Sequence, residues 1–343
     1  MKTKLIAGLL CGMCLTAMAA AQPTATPGGD DKKFAAPGEK QEFPGPRGSK
    51  ITFPTGLYDE KADAAADIRA AREKARRENK RVLVMWGENN CGFCVFLNDL
   101  LKTDPTVSPV VKSEYVWVKA DIGKFNKNIE LASYYNTPLL EQGFGAPALT
   151  VIDPDTDKGV DRRGGNSMTA KPMTMENVFD PKVIGEFLMN HKAPAKPAMA
   201  ELTGAQATAA KQGKKVLAFF TMPLNEMCDV ASAWLERGDV QAVLSKGFVI
   251  ARVDTERMIG GQDVLVKTAG TKAIMAPFMV FLNADGTVVT ESGKFTALPK
   301  TDDQINGFLD GVSKAYPGLS ESDKKVLANA LRQAWEPKAE EKK

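Results

Sequence analysis

Histidine is almost absent: one residue, His191, in a chain of 343. Cysteines number five, tryptophans four and tyrosines five, and aromatics make up 7% of the chain. Neither sign of charge dominates, with 45 basic against 42 acidic side chains, so the formal net charge is only +3. Each scarcity excludes something. Without a basic excess there is no electrostatic footprint for nucleic acid or an acidic substrate. With one histidine at the far end of a helix, a Cys-His nucleophile pair has no second member. A zinc site at any cysteine pair would need further Cys or His ligands, and only Cys228 and His191 are left to supply them. Asp153, Asp155, Asp157 and Asp161 lack the glycine and the closing glutamate of a calcium loop, and they read as an acidic hairpin turn. No segment after the N-terminus approaches the roughly 20 apolar residues of a membrane span.

A single long apolar run is present, at the N-terminus. Lys2 and Lys4, the core from Leu5 to Met18 and the small residues Ala19-Ala20-Ala21 form a secretory signal peptide over 1–21, with cleavage before Gln22. Cys11 and Cys14 leave with it, so Cys91, Cys94 and Cys228 remain. An exported chain without a disulfide framework points to a bacterial periplasm, where a paired Cys-x-x-C is more naturally redox-active than structural. Residues 22–58 carry Pro23, Pro27, Pro37, Pro44, Pro46 and Pro54 among glycines and charges, and read as a flexible leader.

The central stretch is Lys80 to Cys94, KRVLVMWGENNCGFC. Arg81 to Trp86 reads as a buried strand, and Cys91 opens the helix that follows. A thiol at a helix start meets unpaired N–H groups and the positive end of the helix dipole, which favour thiolate. Cys91 is therefore the expected nucleophile. Gly92-Phe93 spaces the pair so that one turn brings Cys94 within reach of a disulfide to Cys91. Before this stretch, ADAAADIRAAREKARREN forms a helix with Ala66, Ile68, Ala71 and Ala75 on its inner stripe. After it, Phe96, Leu97, Leu100 and Leu101 keep a helical period up to Asp104-Pro105. Next come a strand at Tyr115–Asp121, a helix at 126–135, a strand opened by Ala146-Pro147, a hairpin turn over 153–159, and a helix from Asp180-Pro181 to Asn190.

A stiff linker at 193–199 precedes a repeat of the pattern. Setting Cys94 over Cys228 also sets Lys80-Arg81-Val82-Leu83 over Lys214-Lys215-Val216-Leu217 and Trp86 over Phe220. Likewise the strand YVWVKAD finds FVIARVD, and Ala146-Pro147 finds Ala276-Pro277. Several matches in order argue for an internal duplication. Asn283-Ala284-Asp285-Gly286 is the hairpin turn of the second copy. The second copy spans 200–317, a docking helix occupies 318–336, and 337–343 is a mobile tail.

A strand leading into Cys-x-x-C at a helix start, with a proline opening a later strand, resembles the thioredoxin superfamily. The runs CGFCVFLNDLLKTDPTV, VKAD and GAPALTVID are most similar to the exported thioredoxin-like domains of thiol:disulfide interchange proteins. The resemblance implies an α/β fold of two tandem thioredoxin-like domains, 59–192 and 200–317, each a central mixed sheet flanked by helices. By position it implies that Cys91 attacks, that Cys94 resolves and that the two form a disulfide. It further implies that Pro147 is a cis-proline beside them and that the Ala146 backbone pairs with an extended substrate strand. Trp86 and Phe93 complete the expected substrate contacts. Val84 or Met85 stands where thioredoxins keep a buried acid, which leaves proton transfer to Glu88 or to water.

The function expected from all this is periplasmic thiol:disulfide exchange on protein disulfides, reduction favoured, without cofactor or metal. It would be coupled to a membrane-linked thiol electron donor or acceptor. Asn225 replaces the attacking cysteine in the second copy, so that copy reads as degenerate, a docking or dimerisation module in which Cys228 is a buried thiol. Residues 166–179, with Met168, Met173 and Met175, read as a lid beside Pro147. The rival is a non-catalytic thioredoxin-like adaptor of the cell envelope.

Overall fold

The computed structural model describes residues 56–171, 178–272, 274–289 and 293–336, with the main chain alone of 41–44 and 50–53. The expected signal peptide, the tail 337–343, Met173 and Met175 lie outside the described residues. Among the described residues, no helix is long and apolar enough to cross a membrane.

The stretch read as a leader holds two strands, β1 (Gln41–Pro44) and β2 (Lys50–Phe53), paired antiparallel with Gln41 opposite Phe53. Phe43, Ile51, Thr52 and Phe53 favour extended backbone, and the ladder satisfies their main chain locally, which a count of prolines does not register. The leader also ends earlier than expected. Leu57 and Tyr58 are buried in the first hydrophobic core, Tyr58 at 2% exposure.

Helix α1 (Ala64–Glu78) starts at Asp63, whose carboxylate accepts the Ala66 N–H at 3.0 Å, and stops at Asn79 in the left-handed region. Ala64, Ile68, Ala71 and Ala75 form its buried stripe, while Ala66, expected on that stripe, is only half-buried. Then follow β3 (Arg81–Gly87), α2 (Gly92–Thr103), α3 (Ser108–Glu114), β4 (Tyr115–Asp121) and α4 (Ile129–Tyr134). After these come β5 (Ala148–Asp153), β6 (Lys158–Arg163), the short α5 (Gly165–Met168) and α6 (Pro181–Asn190). The sheet order is β4-β3-β5-β6, with β3 parallel to β4 and antiparallel to β5. Side chains alternate across it. Leu83, Met85, Leu149 and Val151 face α2 and α6, while Val82, Val84, Trp86 and Ile152 face α1. Both faces are covered, so β3 reads as a continuous apolar run rather than an alternating one. The acidic turn is a hairpin in which Asp153 pairs with Arg81 and Asp157 with Arg72.

The second half contains α7 (Ala198–Gln212), β7 (Lys215–Thr221), α8 (Glu226–Glu236), α9 (Gly238–Gly247), β8 (Phe248–Asp254) and α10 (Gly261–Ala269). It continues with β9 (Phe278–Leu282), β10 (Lys294–Phe295), α11 (Asp302–Ala315) and α12 (Glu321–Ala334). The sheet order β10-β9-β7-β8 repeats that of the first half, strand for strand. Helix α12 lays Leu327, Ala330 and Leu331 into the core of this half. The molecule is therefore mixed α/β, two four-stranded mixed sheets flanked by helices.

Arg257 joins the halves. Its guanidinium reaches Glu114 Oε2 at 2.8 Å and the main-chain oxygens of Glu78 and Asn79 at 3.1 Å and 2.7 Å. The linker is anchored as well: Ile259 N–H donates to Lys196 O at 3.0 Å, and Ala198 N–H to Ile259 O at 2.9 Å.

Candidate active site

The topology brings the two sequence motifs together. Strand β3 runs toward the loop Glu88–Asn90, and β5 runs the opposite way beside it, with Trp86 opposite Ala148. The residue before Ala148 therefore lies at the sheet end where β3 delivers the cysteines. That residue is Pro147, and the Ala146-Pro147 bond is cis.

Cys91 caps α2. Its sulfur accepts the Cys94 N–H at 3.1 Å, one of the orphan donors of the helix start. Cys91 is half-buried and Cys94 fully buried. The two form a disulfide with Cα atoms 5.2 Å apart. Of the two, only Cys91 is partly exposed, which is the grading that a two-step exchange would require.

Beside the pair is a cleft of about 290 Å³ lined by Phe93, Phe144, Ala146, Pro147, Asn166 and Phe179, among others. Phe93 stands out from it at 48% exposure. Gly164 lets the cleft wall close. A Cβ there would lie 2.8 Å from both Phe144 Cα and Phe144 O, so only glycine fits.

Of the residues expected at the site, Trp86 is not there. It is fully buried on the opposite face of the sheet, and its Nε1–H donates to Thr150 Oγ1 at 2.8 Å. The period of a strand decides this: Met85 faces the cysteine side, so its neighbour Trp86 must face α1. Glu88 lies in the loop before Cys91, and its carboxyl is pushed up by partial burial and by Asp121, with Lys124 acting against them. Val84 and Met85 are fully buried and apolar, so no acid lies beneath the disulfide from β3.

Tyr58 is the residue that sequence reasoning missed. Asn89 holds its main chain from both sides, accepting the Tyr58 N–H at 2.7 Å and donating to Tyr58 O at 3.0 Å. Its ring thereby lies under the active-site loop, against Gly87. The signal available in the sequence was Leu57-Tyr58, an apolar pair closing a stretch otherwise poor in apolar side chains.

In the second half, Asn225 takes the capping place of Cys91 and accepts the Cys228 N–H at 3.0 Å. Cys228 is buried, its thiol pushed up by that burial against hydrogen bonds from Met222 and Thr221. Ala276-Pro277 is cis, like its counterpart. The second half thus keeps the backbone of the site without its reactive sulfur.

Comparison with known proteins gives a family match over part of the chain. The model of the thioredoxin-like family matches residues 63–154, from the cap of α1 to the turn after β5. The chain carries a thioredoxin-like domain. Solved structures also match, three of them as follows. A disulphide isomerase from Xylella fastidiosa is 27% identical, covering 39% of this chain and 95% of that one, with a TM-score of 0.32. A thioredoxin from Thermus thermophilus is 19% identical, covering 42% and 88%, with a TM-score of 0.24. The first two thioredoxin domains of Saccharomyces cerevisiae Eps1p are 13% identical, covering 75% and 97%, with a TM-score of 0.21. No curated protein matched the chain. The thioredoxin-like domain holds Cys91 and Cys94 within its matched span, so the disulfide belongs to the part of the chain where the family match lies.

Proposed function

We propose that the chain is an exported thiol:disulfide oxidoreductase acting on protein disulfides through Cys91-Gly92-Phe93-Cys94, with reduction of the substrate as its favoured direction. The observation carrying this reading is the graded burial of the pair, a reachable Cys91 at a helix start and a sealed Cys94 bonded behind it, at the same sheet end as Pro147 and an open cleft.

In the reductive direction the Cys91 thiolate attacks one sulfur of a substrate disulfide. The Cys91–substrate bond forms and the substrate's own S–S bond breaks, its second sulfur leaving as a thiolate. Cys94 thiolate then attacks Cys91, releases the substrate thiolate and leaves the Cys91–Cys94 disulfide. The Cys94 N–H at the Cys91 sulfur favours the anionic form that the first step needs. Phe93, Pro147 and the Ala146 main chain would hold an extended substrate segment across the cleft. Glu88, its carboxyl held toward the protonated form, is the acidic group of the Cys91 loop for proton transfer. A membrane-linked thiol donor would return the pair to the dithiol, and the basic, apolar N-terminus 1–21 supports a periplasmic site of action. The second half, lacking the attacking cysteine, serves in this reading as a docking module.

Insulin reduction with a dithiol donor tests the proposal. Wild type should turn over, Cys91→Ser should be inactive, and Cys94→Ser should accumulate a mixed disulfide with its substrate. Absence of turnover with any donor, together with alkylation of Cys91 no faster than that of Cys228, would replace this reading with the adaptor.

A further inference from the structure

The Tyr58 hydroxyl is a buried donor without a partner among the described residues. Its residue is 2% exposed, and a buried hydroxyl left unpaired costs free energy that a phenylalanine would avoid. The buried Cys94 sulfur lies in its surroundings. The point where a Cβ on Gly87 would sit is 2.3 Å from Tyr58 Oη and 2.6 Å from Cys94 Sγ, so the two atoms are no further apart than the sum of those distances. Glycine at 87 leaves the space between oxygen and sulfur open. Asp121, whose charge acts on the hydroxyl, has both oxygens engaged elsewhere: one accepts the Gly123 N–H at 3.0 Å and the other Lys127 Nζ at 2.8 Å.

We propose that Tyr58 donates a hydrogen bond to Cys94 Sγ when the pair is reduced, and so acts as a positioning residue that favours the dithiol form. This rests on the exchange reading given above. In the disulfide, Cys94 Sγ shares its valence with Cys91 and is a poor, neutral acceptor. Reduction breaks the S–S bond, and two electrons and two protons yield the dithiol. Cys94 Sγ then gains freedom of χ1 and, on ionisation, a full negative charge that a phenol O–H can meet. Tyr58 keeps its proton throughout, because burial and then the Asp121 carboxylate push its hydroxyl well above the ordinary tyrosine range. When Cys94 next attacks Cys91 in a mixed disulfide, the new S–S bond forms, the substrate thiolate leaves with its electron pair, and the Tyr58 bond is given up.

Tyr58→Phe removes the oxygen and keeps the ring. The oxidised form should then lose an unpaired group and the reduced form a hydrogen bond, and both changes shift the balance the same way. Equilibration with glutathione at pH 8 should show the pair about tenfold more oxidised than wild type, a potential about 30 mV more negative. In a Cys91→Ser, Cys228→Ser background, thiolate absorbance at 240 nm should show Cys94 ionising at higher pH once Tyr58 is Phe. Circular dichroism and thermal melting of each variant confirm that the fold is kept. An unchanged Cys94 titration would overturn the proposal whether or not the wild-type pair exchanges with glutathione. Failure of wild type to exchange at all would instead remove the activity reading.

Discussion

Alanine at Gly87 is the substitution whose cost can be worked most directly from the structure. Its methyl would sit 2.3 Å from Tyr58 Oη, 2.6 Å from Cys94 Sγ and 2.8 Å from Tyr58 Cζ, where ordinary contact begins at roughly 3.5 Å. Both groups must withdraw by about 1 Å. Neither moves easily in the oxidised protein. The Tyr58 ring is buried and its main chain is clamped by Asn89, while the sulfur is tied to Cys91 in the first turn of α2. Overpacking of this kind costs about 1–3 kcal/mol. At a urea slope of about 2 kcal/mol/M, the midpoint for the oxidised form should fall by roughly 0.5–1.5 M. Reduction frees Cys94 Sγ but leaves the closer contact with Tyr58 Oη, and the methyl would fill the space through which the reduced Cys94 sulfur is proposed to meet Tyr58, so the reduced variant should lose stability as well. The assay is urea unfolding of both redox forms, followed by tyrosine and tryptophan fluorescence. An unchanged oxidised midpoint would refute the placing of the ring and sulfur against Gly87.

Other outcomes follow from the same structure. Phe93→Ala should raise KM for a protein disulfide several-fold with little loss of stability, since the ring is exposed at the cleft; an unchanged KM would remove it from the substrate surface. Arg257→Met leaves Glu114 without its cation where both groups are nearly buried, which should cost about 3 kcal/mol and speed proteolysis in the 193–197 linker. Equal cleavage rates would show that Arg257 does not hold the halves together. Burial alone would push the Asp153 carboxyl up, but hydrogen bonds from the main chain of Thr156 and Asp155 and the charge of Arg81 win, and it lies below the usual range. Its folded value is therefore depressed, so its contribution is complete above about pH 4 and is lost as pH falls through the folded value. Thermal melting of wild type and Asp153→Asn should show the gap between them closing only below about pH 4.

Much of the architecture was legible because local chemistry and burial agree. The strands Tyr115–Asp121 and Phe248–Asp254 occupy the span that their β-rich runs suggest, and α6 runs from Pro181 to Asn190 behind its Asp180 cap. Shorter elements were less legible. The helix expected over 126–135 is only Ile129–Tyr134, because Asn128 takes a left-handed conformation that a helix interior does not allow. The strands within 41–53 were hidden by prolines, which speak against a core but not against a local ladder.

By itself the sequence determined the alternation of elements, the pairing of Cys91 with Cys94 through one helical turn, and the loss of the attacking cysteine at Asn225, since each depends on neighbours along the chain. The tertiary structure alone decided which face of β3 each side chain takes, and so sent Trp86 into the core by way of Thr150. It also decided that Tyr58, far from the cysteines in sequence, lies under their loop. Those are properties of contacts between distant segments, set by sheet register and by the one Asn89 that ties Tyr58 down, and no local pattern encodes them.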